Sequence, residues 1–328
     1  MTWTAALTLL LLATVYVIRE TLVIFAVALL FAYLLYPLVD RIALRFPPKN
    51  RGPALALTYL LVIGILTTIG IAIGSQVASE ARQLVAHPPD VTGFFDRLKA
   101  AYPALSPEIS GAESRIREQL GDLASAVPRY SLRVLAASTN LIYLVVIPII
   151  SFFILKDGTE LRDSFVSMLP SALSRARAQR TIAAIHDLLL KYMRALLLLC
   201  CTVLVVYSVV LSVLGVQYAL LLASIAFLCE FVPVVGPLTA MCIILVVTGL
   251  TGYSHLLWIV AFFAAFRLLQ DYVISPKLMG EGVELHPIWV IFGVFAGEQI
   301  GGVAGVFLSV PAIALVRLLI ERFSVHSK

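Results

Sequence analysis

The sequence predicts an all-α, polytopic membrane protein with about eight transmembrane helices, two Pro/Gly-broken hairpins and a small helical extramembrane domain. Three observations lead there. Of 328 residues, 61% are hydrophobic and only 13% are charged, against about 25% charged in a soluble domain. The mean hydropathy is +1.00, which is more apolar surface than one water-soluble core can hide. The apolar residues also run in long stretches separated by short basic segments. Disorder, collagen-like repeats and a small disulfide scaffold are excluded on the same grounds.

The net charge of +5 follows from that topology, because membrane proteins gather Lys and Arg in cytoplasmic loops. No dense basic run interleaved with aromatic residues is present, so nucleic acid is not an expected partner. The four cysteines, Cys200, Cys201, Cys229 and Cys242, all fall in apolar stretches without metal-ligand spacing. They read as small hydrophobes, and no metal or cofactor is expected.

Residues 1–75 read as N-terminal membrane helices. Met1 to Ile18 lacks a basic n-region and a small-residue cleavage site, so a retained helix is expected and not a signal peptide. Arg19-Glu20 is read as a tight turn, with a second helix over about Thr21 to Val39. Arg41, Arg45, Lys49 and Arg51 follow in one loop, which the positive-inside rule makes cytoplasmic, with the N-terminus on the same side. A third span runs from Pro53 to about Gly74.

Residues 76–133 are expected to form an extracytoplasmic helical domain. Charges of both signs alternate there (Asp96-Arg97, Arg115, Arg117-Glu118, Asp122), prolines punctuate it (Pro88-Pro89, Pro103, Pro107), and Ile109, Ile116, Leu120 and Leu123 recur at helical spacing. A segment this short cannot bury a large core, so it packs on the membrane part or on a neighbouring subunit. A homo-oligomer is expected.

Residues 134–194 hold a membrane helix, Val134 to Leu155 with Pro148 in its middle, and a cytoplasmic segment with Arg162, Arg175, Arg177, Arg180, Lys191 and Arg194. The pattern from Ala172 to Leu190 is amphipathic and reads as a helix lying on the membrane face.

Residues 195–328 form the expected transport core. Spans at about Ala195 to Gly215 and His255 to Ile274 are each followed by an apolar stretch with an internal break. The first, Tyr218 to Gly252, breaks at Pro233-Val-Val-Gly236-Pro237. The second, Pro287 to Ile320, breaks at Gly301-Gly302 and again at Pro311. As one helix the second would be about 50 Å long, against a hydrocarbon core of about 30 Å. Two units of span plus broken hairpin resemble an inverted repeat, the sequence pointer to a transporter's binding site. Re-entrant hairpins, the first opening outside and the second inside, and ordinary helix pairs that cross fully both fit the charge bias, with Arg317, Arg322 and Lys328 cytoplasmic in either case.

Intramembrane enzyme motifs are missing: there is no His-Glu-x-x-His, Gly-x-Gly-Asp or Gly-x4-Gly-Lys. Gly252-Tyr253-Ser254-His255 lacks the closing glycine of a nucleophile elbow and reads as a short loop. No enzyme activity is expected. Gly293, Gly297, Gly301 and Gly305 recur every four residues, with Ser309 continuing the series, and set small side chains on one helix face for close packing. Ionisable residues at membrane depth are costly and face a cavity or a partner. Glu230, Arg267, Asp271 and Glu298 are the candidates, with the neighbouring Gln270 added as a polar ligand. Arg267 and Asp271 lie four apart and can pair on one face.

At these residues the sequence resembles a known family. Glu230-Phe-Val-Pro233-Val-Val-Gly236-Pro237, Ser275-Pro276-Lys277-Leu-Met-Gly280, Leu285-His286-Pro287 and Gly301-Gly302-Val-Ala-Gly305-Val-Phe-Leu-Ser-Val-Pro311 are similar to motifs of the autoinducer-2 exporter family. Phe153-Ile-Leu-Lys156-Asp157-Gly158 and Tyr36-Pro37-Leu-Val-Asp40-Arg41 match as well. The resemblance covers nearly the whole chain. It implies a permease-like protein of the bacterial inner membrane with about eight membrane helices, associated with export of a small signalling molecule or with sodium–proton antiport. The expected partners are the lipid bilayer and a small polar solute or sodium and protons. A passive channel and a non-transporting membrane scaffold are the rival readings.

Overall fold

The computed structural model describes residues 7, 10, 13–14, 16–45, 52–86, 91–115, 118, 138–233, 235–279 and 285–324, and every regular element among them is helical. The sequence readings on Lys49, Arg51, Pro88-Pro89, Ile116, Arg117, Leu120, Asp122, Leu123, Gly280, Lys328 and most of Met1 to Ile18 lie outside the described residues.

Helix α1, Arg19–Ala43, is the hub of the bundle. It packs against four later helices and buries Ala28, Leu30, Ala32, Leu35 and Val39. Where a tight turn is expected at Arg19-Glu20, α1 begins: its N-cap Ile18 leaves the helical region at φ −93°, ψ 9°, while the Ile18 N–H to Thr14 O and Leu22 N–H to Ile18 O bonds, both 3.0 Å, persist on either side. Arg19 lays its guanidinium over the Tyr16 ring, 4.5 Å from the centroid.

Helix α2, Gly52–Ala86, passes through the boundary placed at residue 75. Ser75 to Ala86 contains no Pro or Gly, so nothing stops the helix where the apolar stretch ends. Beyond it, α3 (Val91–Ala101), a 3-10 turn (Pro103–Leu105) and a helical stretch over 106–115 make a small layer. Buried Phe95 and Ile109 and a 2.6 Å Lys99–Glu113 ion pair hold this layer together.

Two long helices follow, α4 (Ser138–Ser167) and α5 (Ala172–Val213). The segment read as a separate helix on the membrane face is the first half of α5, and the boundary at 194/195 falls inside it. Ser171 starts α5 with a capping box shared with Ser174. From Ala172 to Arg194 there is no Gly or Pro, and propagation of an existing helix is easier than nucleation of a new one. At 42 residues, α5 is about 63 Å long, roughly twice the hydrocarbon thickness.

The C-terminal part contains α6 (Ala219–Cys229), α7 (Val235–Leu250), α8 (Leu256–Leu269), a π-helical turn (Gln270–Ile274), α9 (Ser275–Met279) and α10 (Pro287–Ser324). Among the described residues, five helical units are long and apolar enough to cross a membrane: α1, α2, α5, the α8–α9 unit and α10. The expected count of eight spans is not confirmed by these residues. Helices α6 and α7 are apolar but have only 11 and 16 residues, about 17 and 24 Å.

Helix α10 is two arms. Gly301 (φ −144°, ψ 20°) and Gly302 (φ 56°, ψ −138°) leave the helical region, and Gly302 lies where a side chain is strongly disfavoured. The arms fold back on each other about this break. A Cβ on Gly297 would stand 2.3 Å from Gly305 O, and one on Gly305 1.9 Å from Gly297 O. Gly293 faces the side chains of Ile313 and Ser309, while Gly301 meets the side chain of Val23 on α1. The glycine ridge is thus a close-packed seam, backbone to backbone at Gly297 and Gly305 and backbone to side chain at Gly293 and Gly301. The second break, expected at Pro311, is absent: the backbone stays helical there. One proline removes one hydrogen bond, and the surrounding contacts of buried Val310 and Ala314 hold the arm in line.

Three apolar clusters join these parts. One packs α6, α7 and α8 on the second half of α5, through Tyr207, Leu211, Leu222, Ala226, Ile244 and Phe263. A second sets Leu30 of α1 and Val310 and Ala314 of α10 on the middle of α5. The third joins α1 to α2 and α4.

Candidate functional site

The pair α6–α7 is the first broken hairpin, and its tip carries Glu230. Pro233 cannot continue α6 and disfavours helical backbone at Val232. The tip closes by local bonds: Val232 N–H to Cys229 O at 2.9 Å, Val235 N–H to Pro233 O at 2.7 Å and Gly236 N–H to Val232 O at 2.9 Å. Position 236 tolerates no side chain, since a Cβ would lie 1.8 Å from Cys229 O. Pro237 occupies the first turn of α7, where a missing N–H costs nothing. Glu230 is the C-cap of α6, its N–H bonded to Ala226 O at 3.0 Å.

The Glu230 carboxylate accepts a hydrogen bond from Nε2 of Gln270, a residue 40 positions later and only 4% exposed. Gln270 opens the π-helical turn, in which the Ser275 N–H reaches back five residues to Gln270 O. Pro276 explains the widening, because it has no N–H to offer Tyr272 O and its ring would strike that carbonyl in an ordinary turn. The extra residue rotates Gln270 into the protein. On the adjoining turn, Arg267 Nε donates to Asp271 Oδ2 at 2.9 Å, as the four-residue spacing predicts. These side chains are 31% and 45% exposed, and Arg267 Nη1 is buried with no hydrogen-bond partner among the described residues.

Helix α5 supplies the opposite wall. Tyr207 stands edge-on to Phe262 and Phe266 of α8, with ring centroids 5.1 and 5.4 Å away. It lies within electrostatic reach of both Glu230 and Arg267, as Cys200 does of Glu230. The buried Tyr192 hydroxyl, near Cys200, also has no partner among the described residues. The site is therefore a carboxylate, an amide and a guanidinium–carboxylate pair facing an aromatic and thiol-bearing helix, with Arg267 Nη1 lacking a hydrogen-bond partner among the described residues, and a buried donor without a partner is costly.

The two hairpins meet near this site. Phe231, next to Glu230, packs on Phe227 and on Phe307 of α10, with centroids 5.6 and 5.9 Å apart. Glu298 is not part of the cluster. It is exposed on the first arm of α10, directly after the seam residue Gly297. Of the remaining candidates, Gly293, Gly297 and Gly305 form the seam, while Pro233, Gly236 and Pro237 shape one tip and Gly301 and Gly302 the other. Tyr192, Cys200 and Tyr207 were not singled out as site residues. Aromatic and thiol side chains on an apolar helix look like ordinary core, and only the fold brings Glu230 to them.

A family model described as "AI-2E family transporter" matches residues 6–324. Among similar proteins, "Putative transport protein YueF" of Bacillus subtilis is 24% identical over 299 residues, covering 87% of this chain and 79% of the relative. "Putative transport protein MT0215" of Mycobacterium tuberculosis is 28% identical over 293 residues, 88% of this chain and 78% of the relative. "Putative permease PerM" of Escherichia coli is 24% identical over 307 residues, 90% and 85% of the two chains.

Proposed function

We propose that this chain, which belongs to the AI-2E transporter family, is a secondary transporter that moves a small polar solute or ion across the bacterial cytoplasmic membrane. The observation that carries this reading is the placement of Glu230. It sits at the tip of a broken apolar hairpin, held by Gln270 from a π-helical turn, beside an Arg267–Asp271 pair with an unsatisfied guanidinium nitrogen. Charge at membrane depth is costly unless a proton, a cation or a fixed partner neutralises it. Exchange among those partners is the least chemistry that an ion-coupled carrier needs.

In this reading the hairpins α6–α7 and α10 enter the membrane from opposite faces, and the tip of the first, at Phe231, packs on Phe307 in the second arm of α10. The arms of α6 and α7 are too short to cross about 30 Å of hydrocarbon, which supports re-entry of the first hairpin. The glycine and proline breaks act as the gating points, since non-helical backbone at depth persists only where protein or a cavity lines it. The half-exposed Asp271 needs water or a second copy of the chain beside it, in keeping with a homo-oligomer. The basic end formed by Arg162, Arg175, Arg177, Arg180 and Arg194 is placed in the cytoplasm, and the C-terminus with it. A sodium–proton antiporter is the form of this mechanism in which both exchanging partners of Glu230 are cations.

Reconstitution into liposomes with imposed pH and sodium gradients tests the proposal. A carrier shows gradient-driven flux and counterflow. Flux without counterflow or gradient dependence identifies a passive channel, and no flux at all leaves the scaffold reading.

A further inference from the structure

Glu80 lies near the far end of α2, outside the cluster just described, and reaches across the fold. Its Oε2 accepts the backbone N–H of Leu221 at 2.8 Å, 141 residues away. Its Oε1 receives Nε2 of Gln76 at 3.3 Å, which orients the carboxylate. Leu221 is the third residue of α6, and the N–H groups of a helix's first turn have no partner within the helix. Local sequence gives α6 no cap: the preceding residue is Tyr218, in left-handed backbone with φ 61° and without a side-chain hydrogen bond to the helix. Glu80 supplies both the missing acceptor and a negative charge at the positive end of α6.

A second tie comes from the same part of the chain. Helix α2 packs along α6, and α3, which follows it in sequence, packs on α7, the other arm of the hairpin. Residues 80–101 therefore touch both arms of the hairpin whose tip holds Glu230. From Leu221 to Glu230 the helix is about 14 Å long and is a rigid lever at 1.5 Å per residue, so displacement at one end is displacement at the other.

We propose that residues 80–101 clamp the first broken hairpin, with Glu80 as the catch, and that Glu80 is a positioning residue acting on transport through Glu230. The link to transport rests on the function proposed above; the clamp itself does not. Release of the Leu221 N–H frees the hairpin to move as a unit, and engagement holds Glu230 against Gln270.

Hydrogen exchange of the full-length protein in lipid nanodiscs, followed by mass spectrometry, reads the clamp directly. Glu80→Ala is expected to speed exchange across residues 219–250, both arms together, by about 2- to 30-fold, the range that loss of a helix cap produces. Helix α5 should keep its wild-type protection. Glu80→Gln retains a carbonyl acceptor and should restore most of the protection. Should the alanine variant fail to fold, Glu80→Asp, one methylene too short to reach, takes its place with the same expected direction. Faster exchange confined to the first turn of α6, unchanged exchange, or a glutamine variant as fast as alanine overturns the clamp. Gradient-driven flux is measured on the same preparations and should follow the exchange, altered by alanine and kept by glutamine. Flux absent from every preparation, wild type included, with the exchange pattern as expected, would sink the transport reading and leave the clamp standing.

Discussion

Adding a single methyl group at Gly305 tests the seam of α10 most sharply. The Cβ of Gly305→Ala would lie 1.9 Å from Gly297 O and 2.7 Å from its carbonyl carbon. Ordinary carbon–oxygen contact is about 3.3 Å, so the arms must separate by more than 1 Å, and a gap of 0.5–1 Å already forfeits a quarter to a half of each contact's dispersion energy. Overpacking of this kind costs about 1–3 kcal/mol, and the gain in helix propensity on replacing Gly returns at most about 1 kcal/mol. With the full propensity gain set against it, the net expectation is a loss of up to about 2 kcal/mol. Gly64→Ala and Gly70→Ala are the controls: they lie within α2 with nothing within 4 Å of the new methyl, so propensity alone acts, and they should be neutral or slightly stabilising. Thermal unfolding of detergent-purified protein, followed by size-exclusion of the remaining folded fraction, ranks the variants. Equal melting temperatures for Gly305→Ala and wild type would refute the seam, because the arms could then not be in backbone contact.

Two further outcomes follow from the same geometry. Asp271→Asn strands Arg267, whose Nη1 already lacks a partner among the described residues, so folded yield should fall, and Arg267→Gln/Asp271→Asn should recover it; a double variant no better than the single one contradicts the pairing. A cysteine at Gly111 should react with an impermeant reagent on intact cells while one at Ser174 is protected, as the basic segment around α5 requires; the reverse pattern inverts the orientation.

Local chemistry was legible in the sequence and long-range chemistry was not. Membrane class, the breaks at Pro233 and Gly301-Gly302, the glycine seam and the Arg267–Asp271 pair all depend on residues close in sequence, and each is present in the structure. Helices run past the points where polarity changes without a breaker, at Ser75 and between Arg194 and Ala195, where polar and charged residues simply prolong a helix. The helix also runs past Pro311, since a proline inside a well-packed arm need not end it. The π-helical turn at Gln270 had a visible cause in Pro276. Its consequence, a bond to a carboxylate 40 residues earlier, depends on how α6–α7 packs on α5 and α8. The Glu80 cap lies 141 residues from its partner and has no local signature at all.

The central claim is that Glu230 couples transport to an ion gradient. Its most direct test is Glu230→Gln in proteoliposomes loaded with a pH-reporting dye, under imposed pH and sodium gradients, at matched reconstitution and melting temperature. Glutamine keeps the size and a carbonyl acceptor for Gln270 but cannot exchange a proton or carry charge. Gradient-driven flux is expected in wild type and is expected to be lost in Glu230→Gln, whereas wild-type gradient dependence in the glutamine variant rules out coupling through Glu230.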